Sequence, residues 1–244
     1  MNLVTSFLDL SSTYGNSRAD QNSLRTFRNG QLRSGADRFG QEALPPSNHW
    51  GRDQCSSSQN QNCFRAGDGR VNQYPGLTAM HTLFQRRHNQ HARALQQVNP
   101  HWTDEQLFQE ARRLLIAEFQ HLTFEEYLPL VFGPTLSAYY SLLSAARSAR
   151  GYHGPAYTRY EPHTDPTTWN EYSAAACRYG HSQISGFFSL IGGFGYNGRS
   201  YMASHPHSNQ TSSSGYWLRD QFFDATLMIN GHVSRRSHLK ACIS

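Results

Sequence analysis

One short block of the sequence combines residues that could carry redox chemistry: ACRYGHS, residues 176–182. The pattern predicts that this block lies within a helix over about residues 168–187, and an apolar run follows His181. That run contains Ile184, Phe187, Phe188, Leu190 and Ile191. An imidazole that enters an apolar wall is one arrangement that holds a haem iron on its proximal side. A lone histidine on an apolar face is more often a satisfied core residue, so this block alone leaves both interpretations open.

Composition and charge argue against two classes of partner. The chain has 244 residues, enough for one large domain, and a formal net charge of +5 that is carried almost entirely by arginine, with Lys240 as the single lysine. No basic run is longer than two residues, as at Arg86-Arg87 and Arg235-Arg236. The pattern therefore favours ion pairs and anion binding over nucleic-acid binding. No window of about 18 apolar residues exists, so we expect no membrane-spanning helix.

Cysteine usage indicates an oxidising compartment. Two of the four cysteines, Cys55 and Cys63, bracket a polar loop, which predicts a short disulfide-closed ring; the alternative is two unrelated thiols. Asn209-Gln210-Thr211 is a glycosylation sequon in a polar loop, which fits a secreted or extracellular protein. The first residues lack a basic region and a cleavage site, so we do not interpret them as a signal peptide.

Two long helices dominate the elements that must position these residues. Apolar residues at three- and four-residue spacing begin at Leu77 and continue to Asn99-Pro100, where the helix must stop. Thr103 and Gln106 have the spacing of a capping box and open a second helix that runs to about His121.

The remaining segments are less regular. Residues 16–76 are rich in Gly, Asn, Ser and Arg and predict loops with a few helical turns. Gly133-Pro134 breaks the chain before a further helix over about residues 135–149. Alternation typical of strands is weak throughout, so the expected fold class is mainly α.

Several ordered blocks of the sequence share a family resemblance. They are residues 5–15 (TSFLDLSSTYG), 67–73 (GDGRVNQ), 75–84 (PGLTAMHTLF), 87–89 (RHN), 99–102 (NPHW), 109–113 (QEARR) with 126–129 (EYLP), and 176–182. Taken together, they resemble the animal haem peroxidases of the peroxidase–cyclooxygenase superfamily, with the closest match to invertebrate secreted members. The resemblance covers nearly the whole chain and implies the mainly α haem-peroxidase fold.

The resemblance implies a role for three residues around a haem b cofactor. His181 corresponds to the proximal iron ligand, and Arg178, one helical turn earlier, corresponds to an arginine that binds a haem propionate. Arg70 corresponds to the distal arginine, which stabilises negative charge on the leaving oxygen of hydrogen peroxide while a small electron donor is oxidised. The alternatives are a surface ion pair for Arg178 and a helix-capping loop arginine for Arg70.

A calcium site is implied by the same resemblance. Thr5, Phe7, Asp9 and Ser11 match the calcium loop of the family, and hydroxyl, carbonyl and carboxylate oxygens are the ligands that calcium prefers. From the alternation alone we would predict a short buried strand.

Departures from the family pattern limit the analogy. Gln73 stands where mammalian members have a glutamate that forms an ester with haem, and Tyr74 stands where some relatives carry a haem-linked methionine. The family's distal histidine and its proximal-side asparagine have no match in the sequence. We therefore interpret residues 1–244 as a partial peroxidase domain, incomplete at both ends, and expect weak turnover from this chain alone.

Two classes of function remain as hypotheses. One is a haem peroxidase that oxidises a phenol or a halide; the other is a catalytically inactive peroxidase-like adhesion or extracellular-matrix module. A zinc site at His81, His88 and His91 is disfavoured because no cysteine or carboxylate lies nearby in the sequence to complete it. Cys177 is interpreted as a buried, inert thiol. The oligomeric state stays open.

Overall fold

The structure is a computed structural model that describes residues 4–36, 42–47, 63–72, 75–140, 142 and 162–183, together with four strands between residues 187 and 233. Several predictions fall outside these residues. They concern Cys55, Gln73, Tyr74, the sequon at 209–211 and the side chain of His181.

A pair of packed helices forms the centre of the fold. Helix α3 spans Pro75–Val98 and helix α4 spans Asp104–Leu122, as the apolar spacing predicted. The predicted capping box is present, because Thr103 Oγ1 accepts from Gln106 N while Gln106 Oε1 accepts from Thr103 N at 2.9 Å. None of the helices in the described ranges combines the length and apolarity that a bilayer crossing requires.

The N-terminal part docks onto this pair through short elements. Helices α1 (Ser11–Tyr14) and α2 (Arg18–Leu24) contribute to an apolar cluster with α3 and α4. The members of that cluster are Leu10, Tyr14, Leu24, Leu32, Phe84, Phe108, Leu115 and Phe119. Strands β1 (Gly35–Ala36) and β2 (Glu42–Ala43) pair antiparallel, and a 3₁₀ turn spans Gly69–Asn72. The irregular character predicted for this region is confirmed.

Gly30 allows the irregular segment to lie directly against α4. Its φ is +69°, and an added Cβ would come within 2.5 Å of Phe108 N, so only glycine fits both the conformation and the space. Gly30 N donates to Asp104 Oδ1 at 2.7 Å, and the buried Arg25 donates to Asp104 Oδ2, also at 2.7 Å. The first residue of α4 therefore anchors this segment.

A stripe of buried polar side chains runs along α3 where an amphipathic helix would normally carry apolar ones. Its members are Thr78, His81, Thr82, Gln85, His88 and Asn89, each no more than 7% exposed. Most of them hydrogen-bond main-chain groups of the irregular segments. Asn89, for example, accepts from Leu32 N at 2.8 Å and donates to Leu32 O at 3.1 Å. The polar stripe thus satisfies main-chain N–H and C=O groups of segments that have no regular secondary structure.

The chain after α4 bends twice. A π-helical turn, Thr123–Tyr127, leads into α5, Leu128–Tyr139. The predicted break is confirmed, because Gly133 adopts φ 77° and kinks α5 just before Pro134. The predicted helix to residue 149 is wrong in its described part, since α5 ends at Tyr139; residues 143–150 lie outside the described ranges.

The predicted helix over residues 168–187 is wrong. Helix α6 covers only Asn170–Ala174, Ala175 leaves helical geometry, and a 3₁₀ helix spans Ala176–Gln183. Phe187 begins strand β3 (Phe187–Ile191), so most of the apolar run after His181 is a strand. Aromatic and β-branched residues favour extended backbone, which outweighs the helical spacing.

Strand β3 belongs to a sheet that the sequence pattern did not indicate. It pairs antiparallel with β4 (Tyr201–Ser204) and with β5 (Thr226–Ile229), and β5 pairs with β6 (His232–Val233). The order is β4-β3-β5-β6. The fold as a whole is nonetheless mainly helical, as predicted.

Candidate active site

Arg70 is held by the acid two residues before it. Its Nε donates to Asp68 Oδ1 at 2.9 Å and its Nη2 to Asp68 Oδ2 at 2.6 Å, while its main-chain N also donates to Oδ1, at 2.8 Å. Burial works to raise the pKa of Asp68, but the hydrogen bonds and charge of Arg70 hold that pKa below its usual value. About a third of the Arg70 side chain, 34%, stays exposed. The role of Arg70, distal arginine or helix-capping loop arginine, stays a prediction.

The turn that carries Arg70 is anchored on both sides. Thr78 Oγ1 on α3 donates to Val71 O at 2.5 Å. Asn72 brackets Phe64 with two bonds, accepting from Phe64 N and donating to Phe64 O, each at 2.9 Å. Because Val71 and Asn72 are buried, these bonds are shielded from water and fix the backbone from which Arg70 projects.

His81 lies within electrostatic reach of Asp68 and Arg70. The sequence disfavoured it as a zinc ligand and did not match it to the family's distal histidine. Its side chain is buried on α3, and Nδ1 lies 2.7 Å from Leu77 O, a carbonyl that can only accept, so Nδ1 carries a proton. Burial lowers the pKa of His81, and the charges of Asp68 and Arg70 act on it in opposite directions. Its neutral Nε2 is therefore an acceptor, and within the described residues it has no hydrogen-bond partner.

His88, seven residues further along α3, has both ring nitrogens engaged. Its Nδ1 lies 2.8 Å from Tyr14 Oη and its Nε2 lies 2.8 Å from Gly30 O. The carbonyl of Gly30 requires a proton on Nε2, so Nδ1 accepts from the tyrosine hydroxyl. Burial lowers the pKa of His88 to about 4. No lone pair is left for a metal at His88.

Three of the four residues predicted to bind calcium line one cavity. Thr5, Asp9 and Ser11 face a polar cavity of about 350 Å³ that Arg18 and Arg112 also line. Phe7 is not among the lining residues. The predicted extended alternation is wrong: Leu10 adopts left-handed backbone with φ 55°, and Ser11 already begins α1.

The segment that contains Arg178 is largely exposed to solvent. Arg178 N donates to Ala175 O at 2.9 Å, and the Arg178 side chain is exposed. Trp169, Tyr172 and Ala176 of the preceding residues line an open, mostly apolar groove. Cys177 is a free, half-buried thiol and not the buried one expected. The 3₁₀ helix includes the backbone of His181, but the position of its imidazole relative to Arg70 stays a prediction.

Cys63 is disulfide-bonded in the structure. Cys55, its predicted partner, lies outside the described residues. The pairing therefore stays a prediction.

Comparison with known proteins decides the family. The model of the family described as animal haem peroxidase matches residues 1–238. The chain belongs to the animal haem peroxidase family. Membership implies haem binding, and it confirms the family resemblance on which the roles of Arg70, Arg178 and His181 are predicted.

Individual members of the family show the same likeness. The chain is 42% identical over 188 residues to the chorion peroxidase of Drosophila melanogaster, which covers 77% of this chain and 22% of that protein. It is 39% identical over 191 residues to a protein of the same fly named peroxidase, covering 78% of this chain and 27% of the relative.

A solved structure extends the likeness to the fold. Peroxidase A from Dictyostelium discoideum superimposes with a TM-score of 0.62 at 27% identity, covering 88% of this chain and 38% of the other. This chain thus spans about a quarter of the length of the curated relatives it matches.

Proposed function

We propose that this chain supplies part of a haem-dependent peroxidase that oxidises a phenol or a halide with hydrogen peroxide. The observation that carries the proposal is the Asp68–Arg70 pair. The side chain and the main-chain N of Arg70 both donate to Asp68, and 34% of the Arg70 side chain remains exposed. A cation held in advance where an oxygen gains negative charge stabilises that charge without reorganisation. Arg70 keeps its proton at ordinary pH, so its role is to polarise.

Two residues of the 3₁₀ helix are proposed to hold haem b. When bound, haem supplies the redox-active iron at which peroxide is reduced. His181 would bind the iron, and Arg178 would bind a propionate with its exposed guanidinium. The residues present fit a flat, largely apolar group with anionic arms, because Trp169, Tyr172 and Ala176 line a mostly apolar groove and the exposed Arg178 follows Ala176 by two residues. We propose no part in haem binding for the half-buried thiol of Cys177.

A calcium ion is proposed at the cavity shared by Thr5, Asp9 and Ser11. The hydroxyl and carboxylate oxygens suit the ion, and Asp9 Oδ1 already accepts from Ser11 N at 3.0 Å, which orders the loop. Arg18 and Arg112 line the same cavity and oppose a cation, so further oxygen ligands are needed for tight binding. Phe7 would contribute only its main-chain carbonyl.

Secretion is proposed from the cysteines. Cys63 is disulfide-bonded, which requires an oxidising compartment, and Cys55 is its proposed partner. A closed ring of this size stabilises the fold by roughly 2–3 kcal/mol. Mass spectrometry of the unreduced protein decides the pairing: two alkylatable thiols at Cys55 and Cys63, in protein made by an oxidising host, would contradict it.

Haem binding is tested by absorbance. The protein, produced with added haem, should show a Soret band, and His181→Ala should alter both the band and the iron ligation. Arg113→Gln is the control, because Arg113 is an exposed arginine on α4 that pairs with Glu110 far from the groove in sequence. A wild-type protein without the band would instead support the inactive adhesion module.

The role of Arg70 is tested by turnover. At matched haem content, Arg70→Gln should lower peroxide-dependent oxidation of a phenol by about 10²–10³-fold, the usual cost of losing one such donor. Arg113→Gln should leave the rate unchanged. Equal rates for the two variants would remove Arg70 from the mechanism.

A further inference from the structure

Gly67 brings the segment that carries Arg70 against the backbone of helix α1. An added Cβ at Gly67 would lie 2.6 Å from Ser11 O and 2.7 Å from Thr13 C, and it would also clash with Gly15 N. All three are main-chain atoms, which cannot move aside as the end of a flexible side chain can. The φ of Gly67 lies outside the left-handed region, so the limited space, and not the backbone conformation, requires glycine here.

The atoms that Gly67 faces belong to residues of the polar cavity. Ser11 and Gly15 both line that cavity. Gly15 N donates to Ser11 O at 2.7 Å, and this hydrogen bond closes α1. Ser11 N donates to Asp9 Oδ1 at 3.0 Å, and Asp9 is one of the proposed calcium ligands. A ligand of Asp9 and Ser11 would therefore act on the hydrogen bond against which Gly67 packs.

On its other side, Gly67 precedes Asp68, to which the turn Gly69–Asn72 is bonded; we call Gly69–Asn72 the Arg70 turn. Val71 N donates to Asp68 O at 3.3 Å, and Arg70 N donates to Asp68 Oδ1 at 2.8 Å. Both donors are main-chain groups, so they place the turn relative to Asp68 whatever else the Arg70 side chain contacts. The position of Gly67 thus sets where the turn begins.

We propose that Gly67 is a positioning residue that couples the polar cavity to the Arg70 turn. A shift of Ser11 and Gly15 on ion binding moves Gly67, because their main chains are in contact, and Gly67 moves the turn with it. Such coupling is reciprocal, so a displaced turn changes the affinity of the cavity by the same factor. The consequence for catalysis rests on the proposed function, whereas the mechanical link needs neither haem nor peroxide.

Two alanine substitutions in the same segment separate this role from a general effect of losing glycine. Gly67→Ala places a methyl group against the backbone of α1. Gly69→Ala makes the same chemical change two residues later, in the Arg70 turn itself, where an added Cβ meets nothing within 4 Å. Both substitutions restrict the unfolded chain in the same way, so a difference between them comes from the contact with α1.

The first measurement is amide hydrogen exchange, followed by NMR without calcium or haem. Gly67→Ala should accelerate exchange at Gly15 N and at Val71 N by a common factor of about five, because one local opening then exposes both amides. Gly69→Ala should stay within about twofold of the wild type at both. Asn99 N, at the other end of α3, is the reference amide. Acceleration at neither amide or at only one of them in Gly67→Ala, or equal acceleration in both variants, overturns the proposal.

A change on the cavity side gives the same test if Gly67→Ala does not fold. Asp9→Ala removes the acceptor of Ser11 N and alters no residue of the Arg70 turn. It should accelerate exchange at Val71 N at least about twofold. Gln21→Ala is the control, because Gln21 lines the same cavity from α2, and it should leave that rate unchanged. An unchanged Val71 rate in Asp9→Ala contradicts the coupling.

Calcium supplies a second measurement, which includes the wild type. Added Ca²⁺ should slow exchange at Val71 N about fivefold in the wild type and in Gly69→Ala, but not in Gly67→Ala. If Ca²⁺ slows exchange at Gly15 N and not at Val71 N in the wild type, the cavity binds the ion without coupling and the proposal fails. If Ca²⁺ slows neither, the proposed calcium site fails, and the two alanine variants still decide the role of Gly67.

Turnover separates the coupling from the proposed function. At matched haem content, Gly67→Ala should lower kcat roughly tenfold relative to Gly69→Ala and leave KM for the phenol unchanged, because a displaced turn misplaces Arg70 only where charge develops. An equal kcat in the two variants would mean that Gly67 does not position Arg70. If the wild type shows no turnover, the proposed function fails while the exchange rates still decide the coupling.

Discussion

Each half of α3 carries one buried histidine, His81 in the first half and His88 in the second, and the two differ in their hydrogen bonds. His88 lies in a closed network, defined here as His88, Tyr14 and Gly30, in which each ring nitrogen has a partner at 2.8 Å. His81 lies in what we call the Arg70 site, formed by Asp68, Arg70 and His81, where one ring nitrogen is bonded and the other is not. Both rings are buried, and burial lowers the pKa of both.

This difference shows that hydrogen-bond completeness, and not burial, separates a histidine that holds the fold from one that is available to a ligand. His88 uses its donor and its acceptor to bond segments distant in sequence, so its removal should destabilise the fold. The Nε2 of His81 has no hydrogen-bond partner among the described residues, so replacing His81 should cost less stability than replacing His88.

We expect the largest effect on stability from His88→Leu. The change leaves Tyr14 Oη and Gly30 O buried without partners, and we expect it to lower the free energy of unfolding by about 3–5 kcal/mol. Denaturant unfolding followed by circular dichroism measures the loss. His101→Leu, at an exposed loop position, should change stability by less than about 0.5 kcal/mol. Equal effects at the two sites would mean that the closed network contributes nothing.

Acid should weaken the closed network next. The unfolded chain protonates His88 near pH 6.5, whereas the folded chain resists until about pH 4. Stability from this group is complete above pH 6.5 and is lost as the pH falls from 6.5 towards 4, by up to about 3 kcal/mol. The lowered pKa of His81 acts in the same direction, so the comparison is the difference between wild type and His88→Gln. An identical pH slope in both proteins would exclude His88 as the source.

Tyr14→Phe tests one bond of the network alone. The ring stays to pack against Phe108, but His88 Nδ1 loses its donor, and we expect a loss of about 1–2 kcal/mol. Tyr139→Phe, at an exposed tyrosine on α5, is the matched control. A neutral result at Tyr14 would show that the ring, and not the hydroxyl, holds α1.

Asp68→Asn should have the smallest effect on stability. The acid and Arg70 are both partly solvated, so the loss should be under about 1 kcal/mol. The same substitution should nevertheless release the guanidinium and lower turnover several-fold, because positioning is lost. Thermal unfolding and phenol oxidation should be measured on the same preparation. A large drop in stability would mean that Asp68 supports the fold as the closed network does.

The sequence predicts the parts of this fold that depend on local interactions. The apolar spacing from Leu77 to Leu95 and the pair Thr103 and Gln106 gave α3 and α4, because both signals act within one or two turns. The helix predicted around His181 was wrong because the aromatic residues from Phe187 onward are strand formers whose sheet partners lie far away in sequence.

The candidate site was only partly accessible from the sequence. Arg70 could be selected by resemblance, and its partner Asp68 lies two residues away. The role of His81 could not be separated from that of His88, because the difference lies in partners 58 and 74 residues away from His88. No local sequence pattern predicts that His88, and not His81, bonds Tyr14 and Gly30.

The polar stripe of α3 has a consequence for the order of folding. The helix pair forms from contacts close in sequence, whereas the main chain of Leu32 is bonded on both sides by the Asn89 side chain of α3. The bonds between Leu32 and Asn89 join residues 57 apart in sequence, so we expect them to form after the local contacts of the helix pair. During synthesis, the amide and carbonyl of Leu32 therefore stay bonded to water until α3 has left the ribosome and Asn89 can replace that water.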